Sequence, residues 1–274
     1  TERATRRSKG CQIVATFVDI QGEKLAVEIY EPKTRVADVV LVHGWTGSKE
    51  DFNLIGPLLA DKGYRVLTFD NRGQHESAHS VREGAYEVRS LAIDVIELVK
   101  SFGFIKPHLF GHSFGGLISQ RAVVESPDTF SSLTLFCSGP HAIPGKPELQ
   151  ASIEILASMS MQESWDRFKE ETDKLLPRYE LYKKRWTASD PRSTHTMALH
   201  LQNAQPLITE IAALKIPVHV VYGEDDDAWP LDLQDQMAKD LAAPRTIIKA
   251  AGHCPNEDQP EETVRVLANF WSAL

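Results

Sequence analysis

Cysteine is scarce in this 274-residue sequence, which contains three. Cys11, Cys137 and Cys254 lie far apart and lack the paired spacing of zinc or redox motifs. This pattern argues against a disulfide framework and favours a reducing compartment. We therefore expect a cytoplasmic protein.

Several signals for partners are also missing. The stretch TERATRRSKG at the start is polar and basic, and no apolar segment follows it, so we expect neither a secretory signal nor a membrane span. Basic residues number 30 against 38 acidic ones, and the net charge of −8 opposes binding to nucleic acid or to an anionic membrane. No motif for a metal, nicotinamide, flavin or nucleotide stands out, so we expect no cofactor and no metal.

The chain does have a hydrophobic content of 42%, enough for a sizeable core near the upper size of one domain. Runs such as VVLVHG and RVLTFD are almost continuously apolar, as expected for parallel strands covered by helices on both faces. From residue 36 onward the short runs alternate with helical patterns, which predicts the α/β class. The eight predicted strands are 12–18, 25–30, 36–42, 64–69, 105–110, 131–137, 216–222 and 245–249.

Between Pro140 and about Gln205 this alternation stops. The segment is richer in Met, Trp, Tyr and charged residues and shows no convincing strand, so we expect a helical insertion that packs on the main domain. Five of its residues recur at helical spacing and predict one apolar stripe, with Pro177 as a helix start or a kink. They are Leu175, Leu176, Tyr179, Tyr182 and Trp186.

The stretch HLFGHSFGGLIS predicts a strand that turns within a few residues into a helix. Ser113 stands at the turn, where strain persists only if the surroundings impose it, and Gly111 and Gly115 avoid side chains where strand and helix crowd together. The pattern Gly-x-Ser-x-Gly in this context is the nucleophile elbow, at which the chain resembles the α/β-hydrolase superfamily. A glycine-rich turn with a capping serine is the alternative interpretation.

The resemblance covers roughly residues 20–138 and 206–274 and includes five motifs in the family's order. It implies an α/β-hydrolase fold: an eight-stranded, mostly parallel sheet with helices on both faces and an inserted helical cap. The core domain would comprise residues 1–139 and 206–274, and the cap residues 140–205.

A serine hydroxyl is a poor nucleophile without a base and an acid that orients the base, and the family order is Ser, Asp, His. His253 in KAAGHCPNEDQPEE follows the last predicted strand and resembles the family's Gly-His-x-Pro segment. For the acid, VHVVYGEDDDAWP offers Asp225, Asp226 and Asp227. The resemblance favours Asp226, with Asp225 second, although an ordinary polar turn with Asp227 as a helix cap explains the same residues.

Acyl transfer also needs two donors for the oxyanion. One is expected at the N–H of Phe114, directly after the nucleophile, and the resemblance places the other at Trp45 in LVHGWTGSKEDF. The alternative is that His43 and Gly44 only end a strand and Trp45 packs. In TFDNRGQHES, which resembles the family's Asp-x-Arg-Gly-x-Gly-x-Ser loop, His75 replaces a glycine and implies either a changed loop path or a left-handed histidine.

These residues predict a serine hydrolase that cleaves an ester-type bond of a small to medium hydrophobic molecule through an acyl-enzyme. Carbon–carbon bond hydrolysis, perhydrolysis and ligand binding without catalysis remain alternatives. Aromatic residues could line the substrate pocket, or they could pack against the cap helices and the main domain. The candidates are Trp165, Phe168, Tyr179, Tyr182, Trp186 and Trp229.

Overall fold

The structure, a computed structural model, describes residues 4–8, 11–143, 145–170, 174–175 and 177–274. The described residues form one nine-stranded sheet in the order β1-β2-β3-β5-β4-β6-β7-β8-β9. The strands are β1 Ala4–Ser8, β2 Cys11–Ile20, β3 Glu23–Glu31, β4 Ala37–Val42, β5 Tyr64–Phe69, β6 His108–His112, β7 Ser132–Phe136, β8 Val218–Gly223 and β9 Arg245–Ile248.

The predicted α/β fold is confirmed, and the eight predicted strands correspond to β2 through β9. The sequence analysis missed β1, which pairs antiparallel with β2 at the edge of the sheet. Its sequence, ATRRS, is mostly polar, and an edge strand can form from such residues because only one side of it is paired. The sheet is mostly parallel because β4 through β9 pair with one another in parallel, whereas the pairs β1–β2, β2–β3 and β3–β5 are antiparallel.

Helices cover both faces of the sheet. The helix α1 packs on α11 on one side, while α2 packs on α3, α3 on α8 and α8 on α9 on the other. Two short 3-10 helices, Lys49–Phe52 and Pro127–Thr129, follow β4 and α3. The α-helices of the described residues are α1 Ile55–Asp61, α2 Val88–Ser101, α3 Phe114–Glu125, α4 Pro147–Ser158, α5 Met161–Phe168, α6 Tyr179–Ala188, α7 Pro191–Asn203, α8 Ile208–Leu214, α9 Leu231–Asp240, α10 Pro255–Asp258 and α11 Pro260–Trp271.

The central strands are hidden from solvent, as their apolar sequences predict. All of β6, β7 and β8 is buried, and in β4 every residue after Ala37 is buried. A strand buried on both faces gains hydrophobic stabilisation from successive side chains, which explains why VVLV has no polar alternation. This rigid centre holds the loops that follow each strand.

The helices α4 to α7 all lie between β7 and β8, within the segment that the sequence sets apart. Among its described residues no strand occurs, and α4 packs on α7 and α5 on α6. The predicted apolar stripe is partly wrong: α6 begins at Tyr179, two residues after Pro177, and Leu175 precedes the helix and is 84% exposed. Leu176 lies outside the described residues, and the limits of the cap, 140–205, stay a prediction.

In the part of the chain that the structure describes, every helix is too short or too polar to span a bilayer. The parallel strands β4, β6, β8 and β9 end at one edge of the sheet because they run in the same direction. The loops after them carry Trp45, Ser113, Asp226 and His253, which the sheet therefore collects at that edge.

Candidate active site

Ser113 occupies a strained turn between β6 and α3. Its backbone angles, φ 55° and ψ −122°, lie in a region that residues with a side chain rarely adopt. A Cβ on Gly111 would lie 2.4 Å from the carbonyl oxygen of Gly115, and one on Gly115 would lie 2.3 Å from that of Val42. The crowding predicted for these two glycines is confirmed, and the Ser113 N–H, which donates to the carbonyl of Phe136 at 2.9 Å, helps to hold the turn.

His253 and Asp226 meet across two loops. The Nδ1 of His253 donates to Oδ1 of Asp226 at 2.7 Å, and the imidazole side chain is 27% exposed whereas the carboxylate is fully buried. The same carboxylate accepts from the N–H of Ala228 at 3.0 Å and from Nε2 of Gln234 at 2.9 Å. Burial raises the pKa of Asp226, but the hydrogen bond and charge of His253, with those two donors, lower it more, so that the net direction is downward.

The neighbours of Asp226 take no part in this contact. Asp225 and Asp227 are exposed, and the N–H of Asp225 donates to the carbonyl of Ala251 at 2.9 Å. Of the three aspartates that the sequence offers, the structure thus brings Asp226 to His253, and no helix-capping bond from Asp227 is among the contacts of the described residues.

The loop of His253 touches the turn of Ser113 directly. His112, the residue before Ser113, donates from Nε2 to the backbone carbonyl of His253 at 2.8 Å. The two imidazole rings lie 5.0 Å apart between centroids. Ser113 and His253 therefore stand at the same edge of the sheet although 140 residues separate them in the chain.

The loop after β4 is fixed by a buried histidine. The N–H of Asn71 donates to Nε2 of His43 at 3.0 Å, so Nδ1 carries the proton and donates to the carbonyl of Gly44 at 2.8 Å. Burial lowers the pKa of His43 to about 4, which keeps the ring neutral. The Gly44 carbonyl also accepts from the N–H of Gly47 at 3.1 Å.

These bonds determine where the N–H of Trp45 points. The Gly44 carbonyl and the Trp45 N–H belong to one planar trans peptide and face opposite ways, so locking the first orients the second. A Cβ on Gly44 would lie 3.3 Å from Oγ of Ser113, which places this peptide against the serine side chain. The N–H of Phe114 lies in the first turn of α3, where helical amides have no intrahelical acceptor.

Four of the six predicted pocket aromatics form one cluster with Trp45. Trp186 is its centre, with ring centroids 6.4 Å from Trp45, 6.3 Å from Trp165 and 5.5 Å from Phe168. Tyr179 lies 5.6 Å from Trp165. The indole N–H of Trp45 donates to the carbonyl of Thr194 at 2.9 Å and that of Trp186 to Oγ of Ser164 at 2.9 Å, which fixes both rings. We call these five residues the aromatic cluster.

The other two candidates lie elsewhere. Trp229 is 1% exposed, packs against Gly139 and donates its indole N–H to the carbonyl of His141 at 3.0 Å. Its place in the pocket stays a prediction, and the structure leaves it almost no surface to offer a ligand. Tyr182 contacts the guanidinium of Arg185, 4.6 Å from its ring, and donates its hydroxyl to Glu257 at 3.3 Å.

Tyr182 belongs to a charged face of α6 that docks on the core. Arg178 pairs with Glu257 and donates to the carbonyl of Glu50 at 2.7 Å, and Arg185 pairs with Asp51. Positions 178, 182 and 185 share one face because they are four and three residues apart. Glu257 follows the loop of His253 and Asp51 follows the loop of Trp45, so this face of α6 joins the two loops.

His75 is confirmed as a left-handed histidine, with φ 47°. It is buried, and its N–H donates to Oγ of Ser189 at 3.2 Å. Its Nε2 lies 3.7 Å from Glu50, which also pairs with Lys49 at 2.9 Å. The side chain in place of the family's glycine thus packs into a charged network beside the site, and the loop keeps a path that a glycine would allow.

Two groups of side chains in the described ranges have metal-ligating atoms within 4.8 Å of one another. In the group of Glu50, His75 and Glu76, the ammonium of Lys49 already serves as the cation, 2.8 Å from Glu76. The other group consists of His112, Cys137 and His253, and both histidines hold hydrogen bonds there. Neither group requires a metal to explain its geometry.

Sequence analysis missed three residues that shape this site. The sequence analysis gave His43 no role beyond ending a strand, and it singled out neither His112 nor Gln234. The sequence held a signal for the two histidines, since His112 directly precedes Ser113 and His43 lies two residues before Trp45. Gln234 carries no such signal, because it lies in α9 and reaches Asp226 only through the packing of that helix.

The comparisons with known proteins agree with this architecture. A family model described as "Alpha/beta hydrolase family" matches residues 39–266. An uncharacterized hydrolase, YugF, of Bacillus subtilis is 23% identical over 288 residues, covering 92% of this chain and 95% of the relative. An esterase from Exiguobacterium antarcticum superposes with a TM-score of 0.78 at 21% identity, covering 93% of this chain and 98% of that one. An enol-lactonase from Burkholderia xenovorans gives 0.79 at 18%, covering 94% and 100%.

Proposed function

The chain belongs to the alpha/beta hydrolase family, and from this premise we propose that it is a serine hydrolase acting on ester-type carbonyls. One observation carries the proposal. The imidazole of His253 is hydrogen-bonded to the buried carboxylate of Asp226, and the His253 backbone is hydrogen-bonded to the residue before the strained Ser113. The proposed nucleophile, the proposed base and the carboxylate that would orient the base therefore lie at one edge of the sheet, which supports these roles.

The proposed reaction follows from this arrangement. Asp226 accepts a hydrogen bond from Nδ1–H of His253 and keeps the proton on that nitrogen, so the lone pair of Nε2 is free to take the proton of the Ser113 hydroxyl as its oxygen attacks the carbonyl carbon. The imidazolium then gives that proton to the leaving alkoxide as the C–O bond breaks. Water, deprotonated by the same nitrogen, then attacks the acyl carbon. The imidazolium returns that proton to the serine oxygen as the acyl C–O bond breaks and the acid leaves.

The developing oxyanion would be bound by the N–H groups of Trp45 and Phe114. Support for Trp45 comes from the locked Gly44 peptide, and support for Phe114 from its place at the start of α3. Such donors contribute about 3–4 kcal/mol each to lowering the barrier when they are fixed in advance. The neutral His43 is what fixes the first of them.

The helical segment 140–205 would act as a cap, and the aromatic cluster would be its apolar roof. The cluster runs from Trp45, the proposed oxyanion residue, to Trp165 and Tyr179 in the cap helices. A roof of this kind favours a small to medium hydrophobic acyl or alcohol group. The two similar structures described above are an esterase and an enol-lactonase, and both names refer to ester-type bonds.

Labelling with a fluorophosphonate probe tests the nucleophile. We expect one covalent adduct on Ser113 and none in Ser113→Ala. Ser119→Ala is the matched control, because Ser119 is a fully buried serine of α3 whose hydroxyl has no hydrogen-bond partner among the described residues. A folded protein that the probe does not label would refute the proposal and favour ligand binding without catalysis.

A series of p-nitrophenyl esters with increasing acyl length tests the roof. We expect kcat/KM to rise with length to an optimum, and Trp186→Ala to move that optimum to longer chains because it opens the cluster. Trp229→Phe should leave the optimum unchanged, since Trp229 lies outside the cluster. An optimum that stays in place in Trp186→Ala would contradict this assignment.

A further inference from the structure

His112 connects the strand of the proposed nucleophile, Ser113, with the loop of the proposed base, His253. It is the last residue of β6 and directly precedes Ser113, and its side chain donates from Nε2 to the backbone carbonyl of His253 at 2.8 Å. The bond links residues 141 positions apart. The side chain next to the nucleophile therefore holds the main chain of the base.

The protonation of His112 follows from its surroundings. Burial, and then the nearby His253, lower the pKa of His112 to about 4, so the ring is neutral. A carbonyl oxygen only accepts, hence the single ring proton is on Nε2. The other nitrogen, Nδ1, is buried and has no hydrogen-bond partner in the described part of the chain. Within the described ranges, the hydrogen bond of this ring is therefore the one to His253.

Packing leaves the His112 ring little freedom. The side chain is 5% exposed, and the ring lies edge-on to Phe136 at 5.8 Å and tilted against His253 at 5.0 Å. A ring confined in this way presents its N–H in one direction. The ring therefore forms a fixed connection between the end of β6 and the loop after β9.

The other hydrogen bonds of the His253 loop lead to elements other than the strand of Ser113. The carbonyl of Ala251 accepts from the N–H of Asp225, in the loop after β8, at 2.9 Å. Residues 249–254 carry the histidine from β9 to α10, and the bonds of Gly252 to Asp258 and of Ala250 to Gln259 tie the loop to residues that follow it. On the side of Asp226, the ring of His253 is bound at Nδ1. The carbonyl bond from His112 is the contact that ties this backbone to the nucleophile's own strand.

We propose that His112 is a positioning residue, which sets the distance between His253 and Ser113 by holding the His253 carbonyl. The proposal rests on the proposed serine hydrolase function. A shift of about 1 Å between reacting groups costs about 10²-fold in rate. Loss of the hydrogen bond from His112 should therefore reduce turnover without reducing substrate binding. His112 acts through His253 and does not itself touch the substrate.

Three substitutions distinguish the effect of the N–H donor from the effect of filling the space of the imidazole ring. His112→Gln keeps an N–H donor at the distance of Nε2, His112→Asn moves the donor closer to the backbone and out of reach, and His112→Leu fills the space without a donor. We expect His112→Leu and His112→Asn to lower kcat by about 10- to 100-fold with KM within about twofold, and His112→Gln to recover most of kcat.

The same variants are compared in their rate of labelling by the fluorophosphonate probe, with circular dichroism to verify folding. If His112→Leu fails to fold, the pair His112→Gln and His112→Asn decides, since both are polar and differ only in reach. Labelling of His112→Asn at the wild-type rate, or a His112→Gln variant as slow as His112→Asn, would overturn the proposal. Absence of labelling in the wild-type protein would instead overturn the proposed function, so the two failures are distinguishable.

Discussion

Replacing Asp226 by asparagine isolates the charge of the proposed acid. The substitution keeps the shape of the side chain, which is fully buried and accepts three hydrogen bonds, from His253, Ala228 and Gln234. If the amide oxygen takes the place of Oδ1, it still accepts from His253 and Ala228. The new NH₂ group then faces Gln234, whose own Oε1 is buried without a partner among the described residues and becomes an acceptor if that amide flips. We therefore expect Asp226→Asn to fold.

The cost to catalysis follows from the lost charge. During the reaction His253 becomes an imidazolium whose Nδ1 lies 2.7 Å from Oδ1 of Asp226. At an effective dielectric constant of about 20, that attraction amounts to about 6 kcal/mol. The imidazole side chain is 27% exposed, so water screens part of it. We expect kcat/KM to fall by about 10³- to 10⁴-fold.

The assay is hydrolysis of a p-nitrophenyl ester under conditions where the background rate is subtracted. Asp225→Asn is the matched control, because Asp225 is the preceding residue, carries the same charge and is exposed. We expect this control to retain activity within about threefold, since a screened surface charge contributes little. A folded Asp226→Asn variant with more than a tenth of the wild-type activity would refute the reasoning.

Three further predictions concern the supporting structure. Gly115→Ala should reduce the free energy of unfolding by about 1–3 kcal/mol in urea titrations, because its Cβ would collide with the carbonyl of Val42. Burial lowers the pKa of His219 to about 4, so as the pH falls this histidine is protonated in the unfolded chain before it is protonated in the folded one. Its protonation should therefore reduce the free energy of unfolding by about 2 kcal/mol between pH 7.5 and pH 5.0. His219→Gln should show a correspondingly shallower dependence of stability on pH. Glu257→Gln should lower thermal stability by leaving the partly buried Arg178 without its carboxylate, at a cost of about 1–3 kcal/mol.

Each of these has a control within the chain. Gly252→Ala should be tolerated, since the nearest atom to its Cβ would be 3.8 Å away. Glu262→Gln removes a surface partner of Arg265 and should leave thermal stability unchanged. Equal destabilisation by Gly252→Ala and Gly115→Ala, or by Glu262→Gln and Glu257→Gln, would contradict the packing and ion-pair arguments. A His219→Gln variant with the wild-type pH dependence would contradict the burial argument.

Much of the fold could be predicted because its signals are local. The apolar runs, the helical patterns and the turn at Gly111, Ser113 and Gly115 each depend on residues close together in the chain, and eight strands were predicted on that basis. The strand β1 was missed because a polar edge strand has no apolar pattern. The start of α6 was missed by a few residues because spacing alone does not show where a stripe stops being helical.

The site was predictable to the extent that it depends on position after a strand. Ser113 was named from the tight turn and His253 from its place after the last predicted strand. Trp45 and Asp226 also follow predicted strands, but the family resemblance singled them out. What each side chain touches was not predictable in the same way. Trp229 illustrates this: its aromatic type suited a pocket, but the absence of a side chain on Gly139 let it pack in the interior.

By itself the sequence determined the α/β class, the positions of the strands along the chain and the strained turn at Ser113, since periodicity and turn chemistry act over a few residues. Together with the family resemblance it made His253 the candidate base. Only the tertiary structure decided that Asp226 rather than Asp225 meets the imidazole, that His75 is left-handed, and that His43 and His112 support the neighbouring loops. These outcomes depend on hydrogen bonds between loops far apart in the chain. Their directions are set by how the strands and helices pack, which no local pattern contains.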